Sequence, residues 1–298
     1  FGINSPSRRI HVHTSGSGGD YMQFTNDTTG TTDGDGYVFG INASEDVIHN
    51  NLEATNTIFF TSGAERLRID SSGKLGLGTS SVDELLHIAN TGGGASILIE
   101  TNSSSGGNVL FGDDSSNTVG RVQYLHSDNS MRFHTDGSEK LRIHSGGEVT
   151  KLHNPRFQVY KSGTHFQISS GSGTITYNTE VYDTGSNYDT STGRFTAPVS
   201  GAYYFHHCLQ IREALSGTGV IEAKVWVIPN GGSAQERIRD YQRVDDTNAA
   251  SHAFGLLGLN AGDQVYPAYY NGISGNAFAQ NNGGNTPLTS FFEGYLVQ

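Results

Sequence analysis

At 298 residues, with 29 acidic against 18 basic side chains and a formal charge of -11, the chain is too long for one ordinary core and repels a phosphate backbone at long range, which argues against a nucleic-acid binder. Only 34% of residues are hydrophobic, yet 40 Gly, 14 Tyr and 15 Phe accompany abundant Ser, Thr and Asn, the mixture of short strands and many turns. Cys208 is the sole cysteine, so no disulfide forms within the chain, and no apolar run reaches the roughly 20 residues of a membrane-spanning helix.

The opening Phe1-Gly2-Ile3 carries neither a Met nor a signal pattern, as expected of a segment inside a longer polypeptide. A repeat then runs through the first half. The stretch from Phe60 to Gly73 returns at His134 to Gly147, with Leu67 and Leu141 in register. Ile10-His11-Val12 echoes Leu86-His87-Ile88, Thr25-Asn26 echoes Thr101-Asn102, and Val38-Phe39-Gly40 echoes Leu110-Phe111-Gly112. Two copies, residues 1–76 and 77–150, are expected. In each, Leu67 and Ile69, or Leu141 and Ile143, alternate with basic residues as in half-buried strands, and Gly and Ser clusters separate the strands. Each strand offers only two or three inward residues. That is too few for a self-sufficient sandwich, so neighbouring chains are expected to complete the core.

The string GAERLRIDSSGKLGLGTSS at 63–81, followed by LLHI at 85–88, resembles a recurrent stretch of phage tail-fibre and tail-spike shafts. The resemblance implies a β-rich, trimeric shaft. The self-cleaving chaperone domain that often follows such stretches is not recognisable here.

Asn154-Pro155 marks a junction, and residues 154–298 are expected to form a separate head. Strands are read at Arg156 to Tyr160, Thr174 to Tyr177, Ala202 to Ile211, Val220 to Ile228, His252 to Leu259, Gln264 to Tyr270 and Ser290 to Val297. Asn230-Gly231-Gly232 and Ala261-Gly262-Asp263 supply tight reversals. The order TYNTEVYDTGSNYDTSTGRFTAPVSGAYYF, LNAGDQVYPAYY, SFFEGYLV resembles the C1q and tumour-necrosis-factor-like domain. That resemblance implies a ten-stranded jelly roll assembling as a homotrimer, with Tyr203, Phe205, Phe291 and Tyr295 packing at the subunit contacts. The fold class expected is therefore all-β, trimeric shaft repeats followed by a C1q/TNF-like jelly-roll head. No collagen-like Gly-X-Y stalk precedes it, which leaves the repeat as the stalk.

The common nucleophile, phosphate-loop, dinucleotide and zinc-helix patterns are absent, and no catalytic residue or cofactor is expected. His11 and His13 share a strand face, and His206 and His207 take opposite faces; neither spacing calls for a metal. The acidic turns Asp33-Gly34-Asp35-Gly36, Asp113-Asp114 and Asp245-Asp246, with Asp263, lack a full calcium-loop order.

The function expected is that of a phage tail fibre of cyanophage-like type, located in the virion's tail and joined to other phage tail proteins, whose head attaches to a host-surface glycan or protein. It neither binds nucleic acid nor inserts into a membrane. Arg239, Tyr241 and Asn281, in the stretches 231–246 and 272–286 read as loops, are the candidate receptor contacts. The alternatives are a head that serves only as a trimerisation clamp and a tail spike that cleaves polysaccharide.

Overall fold

The computed structural model describes residues 10–163, 165–214, 219–244, 249–273, 275–280 and 289–297. The chain divides between Ile99 and Glu100 into two compact units, and among the described residues every regular element is a strand.

In the first unit β1 (Asp20–Phe24), β2 (Tyr37–Ile41) and β3 (Val47–Asn51) form an antiparallel sheet in that order. A second sheet takes β4 (Thr57–Thr61), β5 (Ala64–Ile69), β6 (Leu75–Leu77) and β7 (Leu86–Ile88) in chain order. Its last pair, β6 and β7, runs parallel. The second unit begins with a five-stranded meander of β8 (Gly106–Phe111), β9 (Gly120–Leu125), β10 (Ser130–Thr135), β11 (Ser138–Ile143) and β12 (Val149–Lys151).

Local geometry recurs 74 residues on. Ser62-Gly63, with φ of 51° and 73°, turns the β4–β5 hairpin, and Asp136-Gly137, with φ of 51° and 66°, turns β10–β11. Positive φ at both central residues is the twist-matched reversal of two-residue hairpins. Each hairpin has a register shift at the matching place, Phe59/Phe60 and Phe133/His134. Glu65 takes both Arg68 Nε and an Nη at 2.8 Å, and Glu139 takes the same two donors of Arg142 at 2.7 and 2.8 Å. The following turns close alike, with Gly73 N–H donating to the Asp70 carbonyl and Gly147 N–H to the His144 carbonyl, both at 2.9 Å.

None of these sheets has a core. The buried hydrophobic cluster begins at Phe157, and side chains such as Phe59, Phe60, Leu98 and Phe111 are more than half exposed.

The remainder of the second unit is a two-sheet sandwich. Its strands are β13 (Arg156–Tyr160), β14 (His165–Ile168), β15 (Gly171–Thr174), β16 (Thr179–Thr184), β17 (Tyr188–Asp189), β18 (Arg194–Thr196) and the long β19 (Gly201–Ala214). Then come β20 (Gly219–Ile228), β21 (Gln235–Val244), β22 (Ala249–Leu259), β23 (Gln264–Asn271), β24 (Ala277–Gln280) and β25 (Phe291–Val297). One sheet runs β14-β24-β19-β25-β13-β16, with β22 also on β19; the other runs β17-β18-β23-β20-β21, with β15 also on β23. Among the described residues these are thirteen strand segments rather than the ten expected, because short pieces such as β15, β17 and β18 pair separately at the rims. The strand expected at Thr174 to Tyr177 lies instead at Gly171–Thr174.

Aromatic rings fill the sandwich, with a central group around Phe157. Phe157 stands 4.9 Å from Phe195, 5.1 Å from Tyr188 and 5.1 Å from Phe292 by ring centroids, and Phe205 closes the group 5.8 Å from Phe195. Gly294 is required there: a Cβ on it would lie 2.6 Å from Phe205 and 2.9 Å from Phe157.

Candidate functional site

Strand β19 decides how the head presents itself. Side chains alternate along a strand, and Tyr203, Phe205, His207 and Leu209 all point inward with no exposed surface. Tyr203 and Phe205, expected at a subunit contact, are therefore used up inside their own sandwich, where Phe195 of the opposite sheet packs on both, at 5.6 and 5.8 Å by ring centroids. The outward positions are Tyr204 and His206. Phe291 and Tyr295 do lie on that outward face, Tyr295 at 5.2 Å from Tyr204 and Phe291 at 5.0 Å from His206. β22 adds Phe254 and Leu256, 59% and 63% exposed. Glu293 lies among these rings, accepting from Gln158 Nε2 at 2.7 Å and lying 3.4 Å from His206 Nδ1. The sheet thus turns a broad aromatic and aliphatic patch outward.

Beneath β19 lies a closed polar chain. His207 Nδ1 is 3.1 Å from the Lys224 carbonyl, and that acceptor fixes the proton on Nδ1, leaving Nε2 to accept from the Tyr177 hydroxyl at 3.1 Å. The Tyr188 hydroxyl donates in turn to the Tyr177 carbonyl at 3.0 Å. Burial raises the pKa of both tyrosines and pushes His207 down to about 3. Cys208, also buried, is pushed up to about 12 and donates to the Thr289 carbonyl, so it is an inert thiol.

His207 makes stability depend on pH. An unfolded histidine takes its proton near pH ~6.5, whereas the folded ring does so only at about 3. Between those values the unfolded state binds more protons, and stability falls with falling pH by about 1.4 kcal/mol per unit. Denaturation midpoints measured from pH 7 to 5 should decline in the wild type and decline less in His207→Gln. Equal slopes would remove His207 as the cause.

The second sheet has a different exterior. The stretch 231–246, expected as a loop, is largely strand β21 at the sheet edge, and Arg239 and Tyr241 stand on its outward side, Tyr241 70% exposed. Asn281 lies outside the described residues. Arg239 Nε is 3.0 Å from Glu236, and Lys224 Nζ is 2.8 Å from Glu222 and 3.2 Å from Glu236. Burial works against the Lys224 charge, but the two glutamates outweigh it and its pKa ends above the ordinary value. Trp226 and Tyr266 pair across β20 and β23 with near-parallel rings 6.3 Å apart, and the Arg194 guanidinium lies 5.5 Å over Tyr266. Sequence reasoning missed Trp226, Tyr266 and Arg194; the period-two spacing of Tyr266 and Tyr270, and of Trp226 and Lys224, was the available signal.

Among the described residues no three His, Cys, Asp or Glu side chains gather as a metal site would require. The acidic turns at Asp113 and Asp263 close on themselves, and Asp245-Asp246 lies outside the described residues. Asp113 accepts from Ser115 and Ser116, and buried Asp263 from the Asn230 and Asn260 amides. His206 Nε2 and His252 Nδ1 lie 3.1 Å apart.

Residues 157–297 match the C1q domain family. Among solved structures, the globular domain of zebrafish complement 1qA is similar at 19% identity, covering 49% of this chain and 98% of that one, with a TM-score of 0.36. Murine APRIL at pH 8.5 is similar at 10% identity, with 48% and 99% covered and a TM-score of 0.37. Eiger TNF from S. frugiperda follows at 12% identity, with 49% and 93% covered and a TM-score of 0.38. No curated protein matches the chain.

Proposed function

We propose, on the premise that residues 157–297 are a C1q-like domain of all-β jelly-roll fold, that the protein is the non-enzymatic, homotrimeric distal part of a phage tail fibre. The first 150 residues are its shaft, and the head attaches the virion to a host-surface glycan or protein. The observation that carries this reading is that, among the described residues, no buried hydrophobic cluster precedes Phe157, although Phe59, Phe60 and Phe111 on the strands and Leu98 in a connecting segment stand in the open. Exposed apolar surface of this extent calls for cover, and chains with identical repeats in register supply it from one another. The tail-fibre likeness of residues 63–88 supports the choice of a fibre over other assemblies.

The head as a clamp alone is the second reading, favoured by the apolar patch of Phe254 and Leu256. A protein lacking residues 154–298, with an unrelated trimerising tag fused to the shaft, separates the two. Under attachment by the head, the tagged shaft fails to adsorb to host cells; restored adsorption makes the head a clamp.

A further inference from the structure

The outward side of the β18-β23-β20-β21 surface differs from the aromatic and aliphatic face that carries Phe254 and Leu256. Arg194, Trp226, Lys224, Glu222, Tyr266 and Tyr270 all project from it, since Trp226 is opposite Tyr266 and Glu222 opposite Tyr270, and Arg194 reaches over Tyr266. On the other flank Tyr241 is opposite Glu222, and Arg239 opposite Lys224. Aromatic rings stand at two levels, the Trp226–Tyr266 pair at one and Tyr270 and Tyr241, on either side of Glu222, at the other. Four residues of β20 separate them, about 13 Å at strand rise. Between them lies the ladder of Lys224, Glu222, Glu236 and Arg239.

We infer that this face is a binding platform for an uncharged oligosaccharide chain. The inference deepens the attachment reading, on which it rests for the source of the ligand. The C–H faces of a pyranose ring are apolar and slightly positive, and an aromatic ring offers a negative face to them. Its hydroxyls need donors and acceptors close together, and the ladder presents both carboxylate oxygens and guanidinium N–H groups. A phosphate-rich or strongly anionic ligand is disfavoured because Glu222 and Glu236 offset Lys224 and Arg239. An apolar protein partner matches instead the face of Phe254 and Leu256. A shallow, rigid sheet surface binds each chain weakly, and repetition on a fibre turns weak sites into firm attachment.

Trp226 is the only tryptophan of the protein, so its fluorescence reports this face alone. The full chain is titrated with cellotetraose, maltotetraose, chitotetraose and a hyaluronan tetrasaccharide, by fluorescence and calorimetry, and its adsorption to host cells is measured in parallel. At least one neutral tetrasaccharide is expected to shift Trp226 emission saturably, with binding weakened about tenfold in Tyr266→Ala and retained in Tyr266→Phe. Trp226→Ala, read by calorimetry, should behave as Tyr266→Ala does. Calorimetric binding that both alanine variants leave intact overturns the platform, as does binding of the hyaluronan fragment alone. Cell adsorption that persists in both alanine variants also overturns it while leaving attachment standing. Neutral-sugar binding by a protein that adsorbs to no host cell upholds the platform and sinks the attachment reading.

Discussion

Phe157→Ala lowers the unfolding free energy of the head by about 3–5 kcal/mol, the range for emptying a fully buried aromatic site. Phe157 has no exposed surface and touches four other rings of the cluster. The gap it leaves has little means of closing. β13 is held on one side by β16 and on the other by β25, and Gly294 already brings the β25 backbone against the rings. Urea titration followed at Trp226 measures the change, provided both proteins give a single transition with the same slope. A loss under about 1 kcal/mol would mean that neighbouring rings refill the site, contrary to the packing described.

Phe254→Glu combined with Leu256→Glu produces the second large effect. Both side chains lie on the outward face of β22, Phe254 beside the ring of His206 and Leu256 opposite Tyr204. If copies of the chain meet through this face, each association buries carboxylates without partners, and the cost runs to several kcal/mol per site. Sedimentation velocity at micromolar concentration should find trimers of the wild type and mainly single chains of the variant. Tyr241→Glu, on the opposite sheet, serves as the control and should sediment as the wild type does. A double variant that stays trimeric would move the decisive contacts away from this face, into the repeats.

Much of this fold could be read before any coordinates. β13, β19, β20, β22, β23 and β25 stand out as runs rich in aromatic and aliphatic residues between turn signals, and the 74-residue recurrence carries its hairpin turn in plain Ser-Gly and Asp-Gly pairs. The failures have physical reasons. β21, QERIRDYQRV, is nearly all polar, because one side meets solvent and Ile238 and Val244 alone supply much of its apolar contact with the core; without the β20 ladder it resembles a loop. Alternation along β19 separates Tyr203 from Tyr204 but cannot say which is inside when both sides are bulky. Phe195, on the opposite sheet, breaks that tie by packing on Tyr203 and Phe205. Trp226, Tyr266 and Arg194 come together only through pairing of β20, β23 and β18, so no local motif announces them. Tyr177 was read as a strand residue, whereas its position is set by the hydroxyl it sends to His207.

The parallel pairing of β6 with β7 has a mechanical consequence. An antiparallel hairpin pulled from its ends opens one rung at a time. β6 and β7 point the same way, so a pull along the chain loads their rungs together, among them Leu75 N–H to the Leu85 carbonyl and Ala89 N–H to the Leu77 carbonyl, both 2.9 Å. Leu86–Ile88, which opens the second copy of the repeat, is thereby stitched to the end of the first, and the seam resists tugging in shear where a plain linker would simply lengthen.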